Sequence, residues 1–335
     1  MRPSNSPVTL TVAQKQQQIC SAIRAEEQRL RNKYSILKYQ DWIGFSILLF
    51  SLTGMITAGY CYYIDVIPAW VCIISAAIFA SLSHELEHDL IHRQYFKQNA
   101  LMHNLMMLVV WIMRPNTISP WYRRSMHFLH HKVSGTKKDL EERLVGNGIK
   151  FGFVRCLVMF DNPLGMLTQR NHLARDIDGF SVISLVKAGF PFTIFYFATW
   201  YLFLGFHAYD LMIGGDYPLL LLNAFDGVDL LVVVLIAPNF VRSGSLNFVT
   251  SFLHYYGGVT NIIQQTQILK PWFFAPLHLF CFNFGSTHAI HHFVVGQPFY
   301  IRQMVARVAH KVMAENGVRV NDFRTFFNAN RWETA

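Results

Sequence analysis

Residues 42–64, WIGFSILLFSLTGMITAGYCYYI, form an uninterrupted run without a single charge. As a helix rising 1.5 Å per residue, such a run can cross a hydrocarbon core about 30 Å thick. Residues 66–82 follow after one acidic residue, Asp65, and read as the return span of a hairpin. Residues 188–206 supply a third span. A fourth falls between residues 218 and 240, where Asp226 and Asp229 blur its start, because carboxylates are costly in lipid. Composition agrees: 52% of the 335 residues are apolar and only 15% charged, against about 25% in soluble domains. The expected fold is all-α, an integral membrane bundle of about four transmembrane helices in two hairpins with a cytoplasmic helical cap.

The formal charge of +9 is a topology signal. Arg2, Lys15, Arg24, Arg29, Arg31, Lys33 and Lys38 precede the first span, whereas the hairpin tips carry Asp65, and Asp210 with Asp216. The positive-inside rule then predicts a multi-pass protein with both termini cytoplasmic. Nucleic acid is not an expected partner, since no recognition module accompanies the basic residues. Residues 1–18 are polar and lack the apolar core of a cleavable signal, so the first span is expected to anchor the chain. Residues 19–38 have helical charge patterning and are expected to lie on the membrane surface. The five cysteines show no CxxC pair and suggest neither a disulfide framework nor a zinc knuckle.

Histidine is the informative residue. Of fifteen, most fall into clusters. SHELEHDLIH sets His84, His88 and His92 at four-residue intervals, so on a helix they stack along one face. HFLHH holds His127, His130 and His131, and HAIHH holds His288, His291 and His292, each at i, i+3, i+4. One HxxHH arises by accident about 0.03 times in a chain of this length and composition, so two are not chance. Imidazole suits Zn, Cu, Fe and Ni, whereas Mg or Ca would want oxygen ligands. His254, in FLHYYGG, would be assigned to packing if alone. Added to His84, His88, His127, His130, His131, His288, His291 and His292 it makes nine nitrogens, a number that suits two metal ions with positions left open. His103, His172, His207, His278 and His310 read as packing residues.

HELEH, HFLHH and HAIHH, in this order and flanking paired spans, resemble the three histidine boxes of the membrane fatty acid desaturase and hydroxylase superfamily. FLHYYGG is similar to the extra histidine motif of membrane alkane hydroxylases. The resemblance implies two Fe ions held by those nine histidines, with O2 as co-substrate. His92 is then an extra ligand or an outer partner; alternatively His88 and His92 ligate and His84 stands outside. Glu85 and Glu87 are candidates to orient ligands, while Asp139, Glu141 and Glu142 in KKDLEE read first as a solvated charge run. Residues 1–41 are read as a cytoplasmic N-terminal amphipathic segment, 42–300 as the catalytic membrane domain and 301–335 as a cytoplasmic tail.

The activity implied is oxidation of an unactivated C–H bond in a fatty acid or fatty acyl chain, with desaturation foremost. Alternatives are oxidative decarboxylation to a terminal alkene and alkane or fatty acid hydroxylation; a zinc-dependent membrane hydrolase is more remote. Arg123, Arg124 and Lys132 are candidates for a substrate head group, with anionic membrane lipid an equal alternative. No heme, flavin or iron–sulfur motif is present. Electrons are therefore expected from a separate ferredoxin, rubredoxin or cytochrome b5 type donor with its reductase.

Overall fold

A computed structural model describes residues 10–332 and is helical throughout, with only two isolated β-bridges among the described residues. Residues 1–9 and 333–335, at the ends of the two terminal segments, lie outside the described residues.

Helix α1 (Val12–Lys33) starts at Thr11, whose hydroxyl accepts from Gln14 N while the Gln14 side chain accepts from Thr11 N, a reciprocal cap. Its apolar stripe, Ile19, Ile23 and Leu30, is buried against Ile290, Ile301, Val305 and Ala309. The stripe of residues 19–38 that would enter lipid is covered by protein.

Helices α2 (Gln40–Tyr63) and α3 (Ala69–Ile91) form the first hairpin. They approach closely through small residues, as membrane helices do where no hydrophobic force favours association. A side chain at Gly54 would stand 2.4 Å from the Phe79 ring, and Ala76 and Ala80 are fully buried. The return span reaches Ile91 rather than stopping at residue 82, so the first histidine cluster sits on the last turns of α3 itself.

After α4 (Ala100–Met113) and α5 (Pro120–Val133) come the short α6 (Leu140–Arg143), α7 (Phe153–Phe160) and α8 (Asn162–Asp176). The third expected span is broken. Helices α9 (Val182–Gly189) and α10 (Phe192–Met212) meet at 91°, across Pro191, which has no N–H to continue the ladder. The fourth begins as α11 (Leu219–Leu231) and continues through a π-helical turn, Val232–Ile236, into α12 (Ala237–Leu253). At 35 residues, or about 52 Å, it exceeds the bilayer core. Its last half is buried in protein and delivers His254 to the interior. Three helices are thus long and apolar enough to cross a membrane, or four if α9 and α10 count as one span.

Helices α13 (Ala275–Phe280), α14 (Phe284–Phe293), α15 (Phe299–Glu315) and α16 (Arg324–Phe327) complete the chain. Residues beyond 300 contribute to the same core: α15 packs on α1 and α14 and sends Arg302 to the carboxylate of Glu85.

Candidate metal centre

Four helix ends meet at one place: the C-terminal turns of α3, α5 and α12, and the last turns of α14. The first cluster and His254 lie where α3 and α12 leave apolar spans, whereas HFLHH and HAIHH sit on the shorter helices α5 and α14. The imidazoles fall into two groups. His88, His92, His127 and His291 each offer a ring nitrogen, and the four nitrogens lie within 4.8 Å of one another; so do those of His130, His254, His288 and His292. His131 stands beside the first group, with its Nε2 3.2 Å from His127 Nε2 and 3.0 Å from His291 Nε2. In the second group the Nε2 atoms of His254, His288 and His292 make a triangle with sides of 3.1, 3.2 and 3.3 Å.

These spacings are those a shared metal ion would impose. A metal holding imidazole nitrogens about 2.1 Å away sets neighbouring ligand nitrogens about 3.0 Å apart at right angles and about 3.4 Å apart at tetrahedral angles. Hydrogen bonds cannot account for them, since each neutral imidazole has one N–H and several already direct it elsewhere. His127 Nδ1 stands 2.7 Å from Glu141 and His130 Nδ1 2.9 Å from Asp139. His254 Nδ1 lies 3.0 Å from Glu142, off the hydrogen-bond direction, and His292 Nδ1 3.4 Å from Gln265. Carboxylates at Nδ1 fix the tautomer and turn the Nε2 lone pair inward, the usual support of a metal-ligating histidine.

Burial keeps most of the rings neutral, the form a metal needs. The pKa of His131 and that of His254 are each pushed down to about 3, and those of His291 and His292 well below the ordinary value. At His130, burial also opposes charge, but Asp139 beside it outweighs burial and pushes the pKa up to about 10.

The structure sorts the sequence candidates differently at several points. His92, as the residue that ends α3, turns its ring toward α5, with ring centroids 4.6 Å from His291 and 4.9 Å from His127. His84, two turns earlier, belongs to neither group; its Nδ1 is 3.3 Å from Arg114 Nη1 and it lines a neighbouring cavity. Glu85 and Glu87 touch no imidazole. Glu85 binds Arg302 at 3.0 Å, and Arg302 in turn stands 3.4 Å from His88 Nδ1. Glu87 binds Arg114 and, at 2.9 Å, Arg123. The KKDLEE segment is not a solvated run: Asp139 and Glu142 are buried, and the acids serve His130, His127 and His254. Its position just downstream of HFLHH was the available signal.

Of the basic candidates, Arg123 lines the cavity. Arg124, about 100° further round α5, donates instead to the carbonyls of Leu90 and Ile91, and Lys132 is exposed. The packing role expected of His103 fits its place between Tyr95 O at 3.0 Å and Arg124.

The cavity, about 420 Å³, runs from the histidines toward the bent α9–α10 pair. Leu185, Val186, Ile194 and Phe197 line its outer part, and His84, Arg123, Glu141 and Arg242 its inner part. Glu141 lies in its wall and also holds His127, so the cavity abuts the first group directly.

Paired clusters of buried imidazoles beside apolar helices long enough to cross a membrane are the mark of a histidine-rich, metal-binding class of membrane protein. Residues 65–324 match the fatty acid desaturase family, and the chain belongs to that family. A comparison with curated proteins returns no match.

Proposed function

We propose that the protein is a membrane non-heme diiron oxidoreductase that oxidises an unactivated C–H bond in a fatty acid or fatty acyl chain, with insertion of a double bond as the leading outcome. The observation that carries this reading is the two groups of nitrogens at metal-ligand spacing beside an apolar cavity. His88, His92, His127, His131 and His291 would hold one ion, and His130, His254, His288 and His292 the other. When bound, iron supplies the reductive activation of dioxygen that side chains alone cannot perform. For desaturation the balance is –CH2–CH2– + O2 + 2 e⁻ + 2 H⁺ giving –CH=CH– and two waters. A separate ferredoxin, rubredoxin or cytochrome b5 type donor with its reductase provides the two electrons.

The residues of the chain do the rest. Asp139 and Glu141 retain the Nδ1 protons of His130 and His127, which keeps the Nε2 lone pairs aimed inward. Arg302 and Arg114 pair with Glu85 and Glu87, and Asp89 is held by Arg302, the Tyr95 hydroxyl and Phe299 N, so the carboxylates on α3 are engaged away from the ions. The apolar cavity wall holds an alkyl chain and excludes water. By the positive-inside rule both termini face the cytoplasm, which puts the centre on the side where a soluble donor can dock.

Full-length protein in membranes, supplied with fatty acids, O2 and a reductase system, should yield products two hydrogens lighter by mass spectrometry and contain about two irons per chain. Active protein holding only zinc would overturn the reading in favour of the hydrolase.

A further inference from the structure

The inner end of the cavity carries a charge that the histidine chemistry does not use. Arg242, on α12, is 1% exposed and lines the cavity. Its Nε donates to Asn239 Oδ1 at 3.2 Å and its Nη2 to Asn116 Oδ1 at 2.8 Å, both neutral amides. Among the described residues its Nη1 has no hydrogen-bond partner, and no carboxylate forms an ion pair with it. The nearby acid, Glu87, is already taken by Arg114 and Arg123. A buried guanidinium held in place by neutral amides and left without an anion is expensive unless a ligand completes it.

The polarity of the cavity says which ligand. Its outer part, at the lipid-exposed bend of α9 and α10, is apolar: Val186 and Ile194 line it and are themselves 46% exposed to the surroundings. Its inner part holds His84, Arg242, and Arg123 with Glu141, whose carboxylate is taken by Arg123 and His127, so Arg242 is the guanidinium there without an anion. An amphiphile that matches both has an alkyl chain toward the bilayer and a compact anion at the inner end.

We propose that this cavity takes a free fatty acid, carboxylate first, with Arg242 as the head-group anchor. The proposal rests on the fatty-chain reading above and narrows it: the acid is free, because a bulky thioester carrier has no room at a buried guanidinium, and the carbons nearest the carboxyl lie closest to the histidines.

The test uses the iron-loaded full chain in lipid nanodiscs, without O2 or electron donor, so that binding is read without turnover. Equilibrium binding of isotopically labelled dodecanoic acid is compared with that of methyl dodecanoate. Wild type should favour the acid by about tenfold or more, the value of a charge-assisted hydrogen bond. Arg242→Gln should erase that preference and Arg242→Lys retain part of it. Equal binding of acid and ester by wild type, which needs no variant to fold, would overturn the proposal, as would an undiminished preference in Arg242→Gln. Adding O2 and reductant to the same samples separates the two readings. Oxidation without acid preference sinks only the anchor; acid preference without oxidation leaves the anchor standing and sinks the oxidase.

Discussion

The two histidine groups differ in what surrounds them. The second is closed: His130 and His254 are backed by Asp139 and Glu142, and His292 by Gln265, all within the protein. The first is open on one side. Its carboxylate support runs through Glu141, which also lines the cavity. On the proposed reading, the enclosed group would hold its ion rigidly while the group that abuts the cavity through Glu141 would meet the substrate.

The largest expected effect comes from removing a ligand. His130→Ala should empty the closed group and His291→Ala the open one, each lowering metal content and reducing product formation by roughly 100-fold or more. Wild-type turnover in either variant would break the idea of a shared centre. Next are the supporting acids. Asp139→Asn should weaken metal binding about 10- to 100-fold, and Glu141→Gln by a similar factor. Competition with a chelator measures both; Glu141→Gln should in addition alter fatty-chain binding, because that carboxylate lies in the cavity wall, whereas Asp139→Asn should not.

A smaller contrast sharpens the boundary of the open group. His92→Ala should lower iron per chain, while His84→Ala should leave iron content unchanged and affect substrate binding alone. The opposite result would transfer the ligand role to His84. Smallest of all, Lys132→Ala should change stability by no more than about 0.5 kcal/mol and leave turnover unaltered, since the side chain is exposed and does not line the cavity.

Much of this was legible in one dimension. HFLHH and HAIHH declare themselves because i, i+3, i+4 spacing places side chains on one helix face whatever the tertiary structure. The acids of KKDLEE were not legible as partners. After α5 the chain reverses through Gly135, at φ 85°, where a Cβ would stand 2.7 Å from Val259, and only that reversal brings Asp139 and Glu141 back against His130 and His127. The docking of α1 was equally hidden, because an amphipathic stripe looks the same whether lipid or α15 covers it. The break at Pro191 was written in the sequence but is masked in a hydropathy reading by the apolar residues around it.

Local periodicity and the cost of unpaired polar groups in lipid thus determine, from the sequence alone, that the chain is a helical membrane protein with histidines gathered at helix ends. Which of those histidines meet was decided only in three dimensions. His92 rather than His84 faces the open group because α3 ends at Ile91 and turns, and Arg242 reaches the cavity because α12 extends past the bilayer thickness into the protein. Both depend on where one helix stops relative to another, a quantity set by packing between distant segments and by no pattern within either of them.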